Sequence, residues 1–441
     1  MKKVTDSYTF LQGKRYQRWL KNQEKAQPLV NNASVVNKEA HLEHFRTISR
    51  RSLPSKKIPR WTPASRPPKQ RLELKIPEDF SLLGNPEDVL DIISQLSHMG
   101  EDRQVVSVHI DHSKMLEDDL AAEILLGQTV AYIEASRKKK GGKFHVSGTY
   151  PQDREKIRLL NSVGVVKELN AKNDHEDSDV EKVQIFKRHG LLHEELNIHV
   201  GDQKSRAITG FTDYLNSCLA TIGKVLTEKG EQRLGEYVGE IIGNAEEYSG
   251  TGYWHIYGYV DGTNPEKIYA EVVIYGLGQS IYDSFDGKRN NHEVYNRIEP
   301  YVSAHSHLCS ERLLTTVAAL QQFVSTKIDE DPTRGQGTID LLEFFNTISR
   351  ECIEGLSENK ISKLKLITGG VSIDVDGTYL PQQDANGRST IYFNDLNVES
   401  MPPNEKYVKE LNGVSFPGTL ITIKFPLRDD SLIKESGDDN V

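Results

Sequence analysis

No segment of the 441-residue sequence approaches the roughly eighteen consecutive apolar residues of a membrane-spanning helix, so an integral membrane protein is excluded. The opening stretch, MKKVTDSYTFLQGKRYQRWL, is basic but has no apolar core followed by a small-residue cleavage site. No secretory signal is expected, and the cytoplasm is the expected location. Cysteine is scarce: Cys218, Cys309 and Cys352 lie far apart, which argues against a disulfide framework or a zinc ribbon. No Gly-Lys-Ser or Gly-Lys-Thr occurs, so the chain lacks a Walker-type phosphate loop. No spacing argues for a Ser-His-Asp triad, and there is neither an internal repeat nor a heptad array.

Charge, by contrast, is unevenly spread. Residues 1–70 hold 16 Lys and Arg against 4 Asp and Glu, a balance of +12 within a chain whose net charge is −9. The remaining 371 residues therefore carry −21. A basic arm on an acidic body points to an anionic partner for the arm, nucleic acid or another polyanion, with no membrane partner expected. Five prolines between Leu53 and Lys69 block helix continuation and mark a linker or a draped segment that Trp61 could anchor. The chain is too long for one core. It divides into a basic arm and linker (1–70), a small α/β domain (71–194), a larger α/β domain (195–427) and an acidic tail (428–441).

In the small domain, Leu72–Ile76, Val105–Ile110, Phe144–Ser147 and Val183–Phe186 read as strands. Helices are expected from Asn85-Pro86, over Leu120–Ile133 and over Arg154–Val163, ending at Gly164. The polar stretch Asn170–Glu181 reads as a solvated loop, and the basic run Arg137–Lys140 as another. In the larger domain helices are expected over Gln203–Thr227, Gln232–Tyr248, Ser310–Ser325 and Thr338–Glu354. Strands are expected near Trp254–Val260, Ala270–Tyr275, Lys363–Ile367, Ser389–Phe393 and Leu420–Phe425. Helices on one face of a mixed or antiparallel sheet follow as the expected layout.

Three stretches could carry chemistry. On a helix over 232–248, Leu234, Val238, Ile241, Ile242 and Ala245 share a buried side, whereas Glu236, Glu240, Asn244 and Glu247 form a polar stripe. A carboxylate one turn before a carboxamide suits a magnesium ion and an activated water, though from spacing alone the stripe reads first as a solvated face. The strand from Ala270 ends in Gly276-Leu-Gly278, where glycine permits a turn or close approach to a ligand. Finally, Arg334-Gly335-Gln-Gly337-Thr338 feeds a helix N-terminus, whose free amides and adjacent guanidinium favour an anion. Cys218 reads as core, and His305-Ser-His307-Leu-Cys309 as a segment with metal-capable side chains but no visible fourth ligand.

In this order and at these separations, the three stretches resemble the GHKL ATP-binding fold of gyrase, MutL, ninety-kilodalton heat-shock chaperones and sensor histidine kinases. Glu240, Asn244 and Ala245 match its N box, Glu-x-x-x-Asn-Ala. Gly335-Gln-Gly337 resembles its second glycine box, and Pro417–Leu427 its closing strand. The resemblance covers about residues 205–427 and implies ATP and Mg2+ as cofactors. It makes Glu240 the water-activating base and Asn244 the magnesium ligand. Gly276, Gly278, Arg334, Gly335 and Gly337 would line the nucleotide, with Thr419 on the adenine side. One departure stands out: the aspartate of the first glycine box falls on Gly276, and Ser280 replaces the second glycine. Loss of that buried acceptor costs about 1–3 kcal/mol, and Asp283, seven residues on, is a poor positional substitute. The first domain resembles a STAS-like module, carried by Val105–Ile110, Leu120–Ile133, Phe144–Ser147 and the Leu159–Gly164 turn, without that family's phosphorylatable serine turn.

These resemblances imply a nucleotide-dependent conformational switch or slow ATPase, with the segment between Asp283 and Gly337 closing over Mg·ATP. A bacterial regulatory or phage-defence setting follows by analogy, with a protein partner and a homodimer among the expectations. A serine kinase is a lesser alternative. Two alternatives come from other classes: a scaffold with a decayed nucleotide site, and a nucleic-acid-engaging protein acting through its basic arm.

Overall fold

The computed structural model describes residues 70–169, 183–190, 203–220, 228–248, 254–263, 269–322, 324, 325, 339, 342, 345 and 362–426. The basic arm, the acidic loop, Arg334, Gly335, Gly337 and the acidic tail lie outside the described residues.

The N-terminal part is a small parallel unit. Strands β1 (Gln70–Lys75), β3 (Val105–Asp111) and β5 (His145–Thr149) pair parallel in the order β1-β3-β5. A two-residue ladder joins β2 (Asp79–Phe80) to β4 (Glu117–Asp118). Helix α1 (Pro86–Glu101) starts where the sequence predicts, with the Asn85 side chain accepting from the Asp88 amide and Pro86 in the first turn. Helix α2 (Leu120–Lys139), capped by Asp119, is mostly apolar over Leu120–Ile133 and is buried on nearly every side there, the polar Glu123, Gln128 and Thr129 included. Short helices α3 (Arg154–Ser162) and α4 (Val165–Glu168) complete the unit. Arg137 is not part of a solvated basic loop. Its buried guanidinium donates to the carbonyls of Gly100 (2.7 Å), Val105 (3.2 Å) and Asp102, tying the end of α2 to the end of α1.

The larger sheet has seven strands in the order β13-β10-β9-β14-β8-β7-β6. These are β6 (Val183–Gly190), β7 (Trp254–Asp261), β8 (Tyr269–Leu277), β9 (Lys363–Gly369), β10 (Val371–Val375), β13 (Val408–Glu410) and β14 (Phe416–Pro426). A separate two-residue pair joins β11 (Gln382–Gln383) to β12 (Ser389–Thr390). Three expectations are corrected here. The large sheet is antiparallel throughout, not mixed; β9 turns straight into β10 through Gly369, whose φ of +55° glycine tolerates. Strand β6 does not close the small unit: it pairs with β7 along its whole length, because its Phe186 packs on Phe211 and Tyr214 beyond the 194/195 boundary. Helices cover both faces of the sheet, not one.

On one face lie α5 (Gln203–Ala220), α6 (Glu228–Tyr248), α7 (Ile281–Asp286), α8 (His292–Tyr295), α9 (Glu299–His305) and α10 (Glu311–Ala319). Their core gathers Phe211, Ile242, Trp254, Leu314, Val317 and Phe393. On the opposite face α2 packs against β8, and Tyr257, Val273, Tyr275, Leu277, Phe416 and Leu420 join Leu125 and Leu126 in a second core. The small unit and the sheet thus share one interior. No helix among the described residues is long and apolar enough to cross a membrane.

Candidate functional site

Helix α6 presents the two faces expected of it. Val238, Ile241 and Ile242 are buried, Glu236 and Glu240 are exposed, and Asn244 is half-buried. What sets α6 close to α5 is a glycine stripe the sequence reading passed over: Gly235, Gly239 and Gly243, at four-residue spacing. A Cβ on Gly235 or Gly239 would lie 3.2 or 3.0 Å from the Ile208 side chain, and one on Gly243 would lie 2.6 Å from the Lys204 ammonium.

The sheet beneath α6 brings Gly276 and Thr419 into one row. Trp254 of β7 pairs with Gly276 of β8, Gly276 with Thr419 of β14, and Thr419 with Thr368 of β9. Since the strand neighbours Ile256, Ile274, Ile421 and Leu366 lie in or pack on the α6-side core, alternation puts this row on the same face as α6. The Trp254 indole Nε1 donates to Glu246 Oε1 at 2.9 Å, so the C-terminal turn of α6, where Asn244 sits, is fastened beside Gly276. Thr368 and Thr419 share a hydrogen bond of 2.9 Å, and Thr368 Oγ1 also accepts the Ile281 amide (2.9 Å).

Glycine at 418 has a local reason. Gly418 (φ +133°) sits directly against the Gly276 carbonyl, where a Cβ would run into the oxygen, and the Gly278 amide (φ +135°) donates to the Pro417 carbonyl at 3.1 Å. Asp283 is committed elsewhere. Its carboxylate accepts the Ser280 amide (3.0 Å) and hydroxyl (2.8 Å) in a capping box that starts α7. Ser280 is therefore a helix cap.

The stretch expected to swing as a lid is largely built into the core. Phe285, Val294, Ile298, Tyr301, Val302, Leu314 and Val317 are buried between Asp283 and Leu320. Past it, Ile339, Leu342 and Phe345 are helical and buried, at the spacing of one helix face. Among the described residues no group of three or more His, Cys, Asp or Glu could hold a metal ion. His305 is tied to its own surroundings: its Nε2–H donates to the Glu399 carbonyl (2.9 Å) and its ring packs edge-on to Tyr301. Cys218 lies in the core, burial pushing its thiol up to about 12. An open cavity of about 350 Å³, lined by Thr378, Tyr379, Gln382, Asp395 and Asn397, flanks β10, three strands away from β8.

A second polar constellation, invisible in the sequence, fills the seam between the small unit and the sheet. Glu271 of β8 accepts the Leu120 amide (2.8 Å) and pairs with Lys424 of β14 (2.5 Å). Asp118 pairs with Lys156 (3.2 Å) and Arg158 with Asp261 (2.8 Å). Asp119 accepts the Ala122 and Leu83 amides, yet burial and then the Glu271 charge push its carboxyl up to about 7. Glu123, fully buried, has neither carboxyl oxygen hydrogen-bonded, and burial first, then Asp118 and Asp119, hold it well above the usual carboxylate range. Burial opposes charge on Lys424, but the Glu271 carboxylate more than compensates and raises it.

Compared with protein-family models, with curated proteins and with solved structures, the chain finds no match.

Proposed function

We propose that the chain binds Mg·ATP at a GHKL-like site on the α6 face of the large sheet and acts as a nucleotide-dependent switch or slow ATPase. The observation that carries this reading is the fastening of α6 by Trp254 to Glu246. It brings the turn that carries half-buried Asn244 beside the row that contains Gly276 and Thr419, with exposed Glu240 one turn earlier on the same helix. Asn244 would hold magnesium through its carboxamide oxygen. Glu240, exposed to solvent, would orient or deprotonate the attacking water. The bound metal would neutralise phosphate charge. The parallel unit would serve as a STAS-like module joined to it.

The scaffold reading has its own observation: Gly276 offers no side chain to a base, and the Asp283 carboxylate is occupied by Ser280. Calorimetric titration of Mg·ATP separates the two. Saturable binding lost in Asn244→Ala supports the nucleotide site, and Glu240→Ala should then keep binding while lowering hydrolysis at least tenfold. No heat at millimolar ATP from the folded full chain would leave the scaffold reading.

A further inference from the structure

Lys204 has an unusual setting. It comes from α5 but lies along the glycine stripe of α6, its Cε 3.8 Å from Cβ positions on both Gly239 and Gly243 and its ammonium 2.6 Å from the latter. Only glycine at 243 leaves that space. On a helical wheel Glu240 stands about 60° and Asn244 about 100° round from Gly243. The ammonium therefore rests at the border of the polar stripe, level with Asn244. It is half-buried, and among the described residues no carboxylate lies within ion-pair distance of it. A lysine held against a helix surface loses hydration and rotamer freedom, which an anionic partner would offset.

We propose that the anion is the polyphosphate of the bound nucleotide, making Lys204 a phosphate-binding residue of the α6 site. This rests on the nucleotide reading above. Lys204 would supply a compact charge from the α5 flank of α6, while Asn244 would take the metal on the same phosphates. Gly243 is the second half of the device, since any side chain there displaces the ammonium. Lys204 lies outside the stretches that prompted the GHKL resemblance, and Gly243 is one of the unspecified positions of Glu-x-x-x-Asn-Ala.

The test is calorimetric titration of the full chain with Mg·ATP and, separately, adenosine. Lys204→Gln should weaken Mg·ATP at least tenfold and leave adenosine and the thermal midpoint unchanged, whereas Lys204→Arg should stay within a few-fold of wild type. Gly243→Ala keeps the charge but crowds the ammonium, so it should weaken Mg·ATP in the same direction. If wild type binds Mg·ATP and both Lys204→Gln and Gly243→Ala bind it equally well, the role of Lys204 is overturned while the nucleotide site stands. If wild type binds neither Mg·ATP nor adenosine, the nucleotide reading falls and this assignment with it.

Discussion

A carboxyl group enclosed like that of Glu123 carries its proton into the native state. Its oxygens have no hydrogen-bond partner, and Asp118 and Asp119 add repulsion to the cost of burial. A carboxyl whose folded pKa lies above its unfolded value costs stability as pH rises between the two. For Asp119 that window runs from 3.8 to about 7, and for Glu123 it begins at 4.5 and extends well higher. Burial pushes His112 down to about 4 and lowers His189; such imidazoles act in the opposite sense below their ordinary 6.5. Urea unfolding between pH 5.5 and 8 should therefore show Glu123→Gln losing stability less steeply than wild type, by up to about 1.4 kcal/mol per pH unit. Equal slopes would mean that Glu123 is not protonated inside. At this scale Glu240 and Asn244 were legible, because helical period alone separates a polar stripe from a buried one. Glu123 was not, because its enclosure depends on the turn at Gly164, where a Cβ would lie 2.8 Å from the Glu123 Oε2, and helical period says nothing of that turn.

Helices α5 and α6 owe their closeness to three residues without side chains. The two substitutions at Gly239 should diverge. Gly239→Ala gains up to about 1 kcal/mol of helix propensity, and its methyl meets only the flexible end of Ile208, 3.0 Å away, so stability should change little. Gly239→Leu forces the helices apart and should lower stability by about 1–3 kcal/mol, read as a drop in thermal midpoint. A Leu variant as stable as wild type would show that the contact is not close. Element types were mostly readable from periodicity, and α1, α2, α3, β7 and β8 fall where the pattern puts them, with shifted ends. Two ends fail for a definite reason. The strand expected over Ser389–Phe393 shrinks to Ser389–Thr390 because side chains take the backbone donors. Gln321 accepts the Ile391 amide (2.7 Å), Asn397 accepts the Tyr392 amide (2.8 Å), and Phe393 adopts a φ of 55°. The helix expected to reach Ser325 ends at Ala319, where the Gln321 side chain is committed to the Val317 and Ile391 carbonyls.

The two halves of the molecule cannot be understood apart, because α2 belongs to both interiors. Its Gln128 amide bridges the Tyr257 and Tyr275 hydroxyls across the seam, and Phe416 packs edge-on against Tyr275 at 6.2 Å. Phe416→Ala should cost about 3–5 kcal/mol and lower hydrogen-exchange protection in α2 and β8 together; loss confined to the sheet would show that the units are energetically separate. Leu120–Ile133 was legible as a helix, but nothing in its own pattern says that α2 is covered on both sides or by what. The same uncertainty misplaced β6, which reads as a small-domain strand until its partner β7 is seen. The seam also constrains how the chain is made. The Leu120 amide waits for Glu271, 151 residues downstream, and the tyrosine face of the sheet waits for β14, near the end of the described chain. As the polypeptide leaves the ribosome, the N-terminal unit must hold an unfinished apolar surface through most of synthesis. Until the last strand arrives, that surface is open to premature association.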